Sequence, residues 1–288
     1  MSHQGSTSAI KNAISVDVEE YYHAHNLAGV APRESWPNLS SRVEISTRLV
    51  LDLLDQQKIK ATFFVLGLVA KDHPQLVIEI VARGHELASH GLSHRLVYEQ
   101  SPQEFKEDVM MSKQILEQIS GAKVTGYRAP SFSINHKTPW AYEILAEVGY
   151  LYDSSLYPVY HPRYANTAAS VLPQTVNTSS GPLQILPLAV SVWHLGQKEL
   201  RIPVAGGAYW RLFPECLLKR LLARINEREH RPFVAYFHPW ELDKDQPVFT
   251  GLPLMTRVRH YGNITNFHKK LSLLLSSFSF APLREIGP

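Results

Sequence analysis

Apolar residues along this chain gather in short runs that stop abruptly at a charged or imidazole side chain. Seven runs, 13–18, 59–66, 86–90, 123–128, 150–154, 183–190 and 233–238, are rich in Val, Ile, Leu, Phe and Tyr and predict strands. Segments of helical period lie between most of them. Val43, Leu49, Val50, Leu53 and Leu54 mark one helix, with Ser41-Arg42-Val43-Glu44 as its expected capping box. Phe105, Val109, Ser112, Ile115, Leu116 and Ile119 mark another. For it, Ser101-Pro102-Gln103-Glu104 combines an N-cap, a first-position proline and a box glutamate, and Gly121 is the stop. Thr138-Pro139 opens a third, which carries Ile144, Leu145 and Val148 to Gly149, and further helices fit 214–229 and 263–279.

Strands alternating with helices predict a parallel sheet. Seven strands are one short of the eight-fold barrel, so the expected fold is α/β, a distorted, partly open (β/α)7 barrel. Residues 1–11 read as a disordered or tag-like N-terminus and 12–288 as a single domain. Two stretches break the rhythm and are expected to be loops, one around 156–182 and one around 203–213. In the second, Gly206-Gly207 stands beside Tyr209 and Trp210. That fits backbone passing close to a ligand, with rings for a sugar face, and equally fits a tight turn with packed aromatics.

Composition narrows the class. Hydrophobic residues are 44% and charged residues 19% of the 288, enough for a large core. The net charge is only +3, and no dense Lys/Arg stripe argues for nucleic acid. The single cysteine, Cys216, excludes an intrachain disulfide, and its apolar neighbours predict a buried thiol. No run reaches the ~18 apolar residues of a membrane span. The polar start carries no signal-length apolar core, so a cytoplasmic protein is expected.

The residues that end the runs are chemically consistent with one another. In a parallel α/β barrel the C-terminal strand ends converge on one rim. Asp17 and Glu19, two apart after the first strand, leave the same face. His90 and His94, spaced i, i+4 after the third, can share a metal. Two imidazoles and a carboxylate leave metal positions open for water and substrate, and a second carboxylate can take the water's proton. Arg128 could hold the base carboxylate, and Asp153 could keep His238 protonated and aimed at a leaving group. Taken singly, each has a plainer reading: an acidic rim, a surface Arg, a capping Asp, a satisfied core His. Together they point to a metal-assisted hydrolase.

The set also resembles a known family. Asp17-Val18-Glu19, Ser89-His90-Gly91-Leu92-Ser93-His94, Arg128-Ala129-Pro130-Ser131-Phe132, Asp153-Ser154-Ser155 and Phe237-His238-Pro239 look like the five ordered motifs of the polysaccharide deacetylases, carbohydrate esterase family 4. The stretches Ala61-Thr62-Phe63-Phe64-Val65-Leu66-Gly67, His94-Arg95-Leu96-Val97-Tyr98 and His238-Pro239-Trp240-Glu241-Leu242-Asp243 look like the exosortase-associated exopolysaccharide branch. The resemblance implies Asp17 as general base, His238 as general acid, Arg128 orienting Asp17 and Asp153 tuning His238. It implies Glu19, His90 and His94 as ligands of a divalent metal, zinc by default. A substrate wall of Pro130, Phe132, Tyr209 and Trp240 completes the expectation. The first motif departs from the usual adjacent aspartates, because Val18 separates Asp17 from Glu19. The implied activity is removal of N-acetyl groups from an N-acetylhexosamine polysaccharide or its precursor. The alternatives are a metal-independent, allantoinase-like cyclic amide hydrolase and an inactive carbohydrate-binding protein.

Overall fold

The structure is a computed structural model that describes residues 10–160 and 169–286. The expected N-terminal tag, over residues 1–9, and the part of the first loop at 161–168 lie outside the described residues. Lys11 already opens a strand.

The expected strands form, mostly shorter than their apolar runs. They are β1 (Lys11–Val18), β2 (Thr62–Val65), β3 (Glu86–Ser89), β4 (Gly126–Tyr127), β5 (Tyr152–Asp153), β7 (Gly181–Ile185) and β10 (Val234–Phe237). Residues 156–182 are not all loop, since β6 (Gln174–Thr178) pairs antiparallel with β7. A second hairpin, β8 (Val190–Leu195) with β9 (Lys198–Pro203), forms its own two-stranded sheet. The main sheet runs β10-β1-β2-β3-β4-β5-β7-β6, and β11 (Ser279–Ala281) also pairs with β1. Every pair except β6–β7 is parallel. β2, β3 and β10 are buried at all four of their positions, because helices cover one face and the barrel interior the other. Across the gap between β7 and β10, Ala189 N–H donates to Val234 O (2.9 Å). The sheet therefore curls as expected but stays open on its ladder.

The outer helices are α1 (Val43–Gln56), α2 (Gly67–Asp72), α3 (Pro74–Ala82), α4 (Pro102–Ser120), α5 (Trp140–Glu147), α6 (Ala208–Leu212), α7 (Glu215–Glu227), α8 (Leu254–Tyr261) and α9 (Ile264–Leu275). α4 is capped as its sequence predicts: Ser101 Oγ accepts from Glu104 N–H, Glu104 accepts from Ser101 N–H, and Gly121 closes it at φ 67°. α1 is capped differently. Glu20, after β1, accepts from the backbone N–H groups of Arg42 (3.0 Å) and Val43 (3.3 Å) and from Ser41 Oγ, so the local capping box does not form. A carboxylate from another element is the better acceptor for these N–H groups, because it sits on the positive end of the helix.

Two further expectations fail for identifiable reasons. The helix expected over 263–279 stops at Leu275, and Ser279–Ala281 turns back to pair with β1. Cys216 is exposed, since the buried stripe of α7 is Leu218, Leu221, Leu222 and Ile225 and Cys216 shares the side of Lys219 and Arg220. One apolar core cluster takes in residues from Ala13 to Leu283.

Candidate active site

Parallel strands deliver their C-terminal ends to one rim, and a cavity opens there. Its lining includes Asp17, Glu19, His90, His94, Phe132, Tyr209, His238 and Trp240. Six of the seven ionisable groups expected to act together border this cavity or touch a residue that does; Asp153 is the exception.

Asp17 is 1% exposed at the end of β1, and Arg128, fully buried after β4, donates from Nη1 to its Oδ1 at 2.6 Å. The same guanidinium donates to Ser15 Oγ (2.7 Å), Ser154 O (3.0 Å) and Ser154 Oγ (3.0 Å), and lies over the Phe64 ring at 4.1 Å. All three of its nitrogens donate, so Asp17 has a rigid partner. This is the contact expected of Arg128.

Glu19 leaves the same side two residues on. Its Oε2 lies 2.7 Å from His94 Nε2 and 3.8 Å from His90 Nε2. Among the described residues Glu19, His90 and His94 form the cluster whose donor atoms all lie within 4.8 Å of one another. His90 Nδ1–H donates to the carbonyl of Arg128 (2.8 Å), which leaves Nε2 free to ligate. Burial, partly opposed by Asp17 and Glu19, pulls His90 down to about 4, so it is neutral and can bind a cation near pH 7. Burial raises the Glu19 carboxyl, but His94, His238 and His90 outweigh it and hold the group well below the usual carboxylate range. A neutral His90 beside the ionised Glu19 carboxylate, with His94 completing the donor set, suits a divalent ion such as zinc.

Backbone strain gathers at the same place. His94 (φ 60°), Ser131 (φ 51°) and Phe132 (φ 56°) all adopt the left-handed conformation, which costs non-glycine residues about 1–2 kcal/mol each. Leu92 N–H donates to buried Asp108 (2.9 Å), and Arg33 donates to Ser93 O, which together hold the 91–94 turn.

The remaining expectations divide. Phe132 and Tyr209 line the cavity, while Pro130 is buried behind it, near Gly91. Trp240 borders the cavity but cannot present a ring face to a sugar. His238 covers one face (5.0 Å, 18°) and His260 stacks on it as well (4.4 Å, 13°). The Gly206-Gly207 step is a close backbone approach, though to protein. A Cβ on Gly206 would stand 1.6 Å from Tyr236 O, and Gly206 bridges β10 in parallel.

Asp153 does not partner His238. Its carboxylate accepts from Ser155 N–H (3.0 Å) and Ser155 Oγ (2.5 Å), and Ser155 Oγ accepts from Ala129 N–H (2.7 Å), so Asp153 braces the turn that carries Arg128. Burial pushes its carboxyl up to about 7. His238 Nδ1–H instead donates to Glu241 Oε1 at 2.9 Å, and its Nε2 lies 3.6 Å from Glu19 Oε1. Burial favours the neutral ring, but the Glu241 hydrogen bond and the charges of Glu19 and Glu241 win, raising His238 to about 9. From the sequence, Glu241 stands only in a stretch that flanks the motif, with no role of its own. The available signal was its spacing, three residues after His238 with Pro239 between, which is a capping pattern over one short helical turn. His23, which no sequence motif marks, stacks on His94 at 5.5 Å; burial and His94 keep it neutral, at about 3.

Residues 42–152 match the polysaccharide deacetylase family, and residues 154–287 match a domain of unknown function, DUF3473. The chain thus carries a polysaccharide deacetylase domain followed by DUF3473. It is similar to a chitooligosaccharide deacetylase of Sinorhizobium fredii, 50% identical over 50 residues, 17% of this chain and 23% of the relative. It is also similar to the peptidoglycan-N-acetylmuramic acid deacetylase PdaC of Bacillus subtilis, 36% identical over 90 residues, 31% of this chain and 19% of the relative. The matches span about a fifth of these relatives' own length. In fold, the chain resembles a Mycobacterium smegmatis protein described as a polysaccharide deacetylase (TM-score 0.63, 20% identity, 96% of this chain and 88% of that one). It resembles the Puue allantoinase comparably (TM-score 0.60, 17% identity, 98% of this chain and 90% of that one). Both likenesses establish the α/β fold with its parallel sheet.

Proposed function

We propose that the chain is a metal-dependent N-deacetylase acting on an N-acetylhexosamine-containing polysaccharide or its precursor. The observation that carries this reading is the meeting of Asp17, Glu19, His90, His94 and His238 around one cavity. The named relatives, deacetylases of chitooligosaccharide and peptidoglycan, favour the same substrate class. Membership of the exosortase-associated branch rests on the stretches that flank the motifs.

Glu19, His90 and His94 would hold the ion, which when bound supplies Lewis acidity toward a water and the amide carbonyl. Asp17, fixed by Arg128, accepts a proton from the attacking water. The new C–O bond forms at the carbonyl carbon. His238 gives its Nε2 proton to the amide nitrogen as the C–N bond breaks, and the bonding pair stays on nitrogen. Acetate and a free amine leave, and water is the nucleophile, so no covalent acyl-enzyme forms. Tyr209 and Phe132 supply the ring surface on the cavity wall.

The test is an acetate-release screen over N-acetylated chito-oligosaccharides and lipid-linked precursors, with bound metal quantified in parallel. Wild-type release that collapses in Asp17→Asn, in His238→Ala and on chelation is expected. Turnover of a cyclic ureide that survives chelation would replace this reading with the amidohydrolase one.

A further inference from the structure

Arg211, His238 and Glu241 all lie in the DUF3473 stretch, and they form one connected unit. Glu241 is fully buried on the turn after β10 and both of its oxygens are engaged. Oε1 accepts from His238 Nδ1–H (2.9 Å) and from the His238 backbone N–H (3.0 Å), while Oε2 accepts from Arg211 Nε (2.6 Å). Arg211, 1% exposed on α6, then donates to Gly262 O and Arg259 O, each at 2.6 Å. The guanidinium thus joins α6, the 239–242 turn and the α8–α9 junction.

A buried ion pair is a poor way to gain stability, because desolvating both charges offsets their attraction. What this pair does well is hold a neighbour. With Nδ1 engaged, only Nε2 of His238 is left for chemistry. The ring itself is flanked by Trp240 (5.0 Å, 18°) and by the edge-on Tyr236 (5.6 Å, 87°), which restrict its rotation.

We propose that Glu241, fixed by Arg211, is the positioning residue that orients His238 toward the departing amine, the part the motif resemblance gives to Asp153. The assignment rests on the deacetylase reading for its chemistry but on the hydrogen bonds above for its geometry. DUF3473 then contributes the proton donor and its holder, while the preceding domain contributes the two imidazoles and Arg128.

The test compares two leaving groups. An N-acetylated chito-oligosaccharide loses an amine that must be protonated, whereas 4-nitrophenyl acetate loses an aryloxide that departs without a proton. In Glu241→Gln, kcat on the amide falls by about 10²-fold or more, the scale of a lost general acid. KM stays within about twofold and the aryl acetate rate within a few-fold, as expected when only a proton-transfer step is lost. Equal losses on both substrates, or an unchanged amide kcat, would overturn the assignment. A second measurement is independent of turnover. The downfield, hydrogen-bonded Nδ1–H resonance of His238 should be present in wild type and in Asp153→Asn and absent in Glu241→Leu, which has no oxygen to accept it. Its persistence in Glu241→Leu refutes the proposal. If wild type releases no acetate from any amide, the deacetylase reading fails while this resonance still decides what Glu241 does.

Discussion

Replacing Arg128 with Met tests the electrostatic centre of the site, because it removes the guanidinium that donates to Asp17 at 2.6 Å. The side chain is fully buried, and Met roughly fills the volume of its aliphatic stem. The loss leaves Asp17, 1% exposed, as an uncompensated buried carboxylate, which costs about 3–5 kcal/mol. Unfolding entropy of about 2.1 cal/mol/K per residue over 288 residues is about 0.6 kcal/mol/K, so Tm should fall by about 5–8 °C. The reverse change, Asp17→Asn, should cost less, about 1–3 kcal/mol. Arg128 would still donate to Ser15 Oγ, Ser154 O and Ser154 Oγ and would still lie over Phe64. The double variant should therefore be more stable than the sum of the singles implies, by about 1–3 kcal/mol of coupling. Urea unfolding in excess chelator measures all four corners of the cycle, since bound metal would add stability of its own. Additivity within about 0.5 kcal/mol would mean that the pair is not coupled as drawn.

Other expected outcomes follow from single contacts. Glu20→Ala removes the carboxylate cap of α1 and should cost about 0.5–2 kcal/mol in urea while leaving bound metal unchanged; a loss of metal would place Glu20 with Glu19 instead. Glu19→Ala should reduce bound zinc from about one ion per chain towards none after dialysis, read by atomic emission, with the far-ultraviolet spectrum retained. Asp153 is raised to about 7 by burial, so the folded state holds its proton more tightly than the unfolded chain does. Its stabilising contribution is complete below the unfolded value of 3.8 and is lost as pH rises through about 7, with a slope of about 1.4 kcal/mol per pH unit. Asp153→Asn should flatten that slope in urea titrations at pH 4 to 7, and an unchanged slope would remove Asp153 as its source. Trp240→Phe should leave KM for a chito-oligosaccharide unchanged while Tyr209→Ala raises it several-fold, because Tyr209 lines the cavity whereas the Trp240 ring is stacked on by His238 and His260; a raised KM in Trp240→Phe would reverse that division.

The amino-acid sequence by itself determined the seven strands that end at the site, several of the outer helices and most of the side chains that arrive at the rim. Those properties are local: apolar runs bury on both faces, Ser101-Pro102-Gln103-Glu104 caps its own helix, and a parallel sheet delivers Asp17, Glu19, His90, Arg128 and His238 to one side. Tertiary structure decided who pairs with whom. Glu20 caps a helix that starts 23 residues away, Asp153 turns to Ser155, Glu241 takes His238, and Trp240 stacks with both His238 and His260. A buried carboxylate binds whichever donor lies within about 3 Å of it. That distance is set by how the elements pack, and the order of residues along the chain does not encode it.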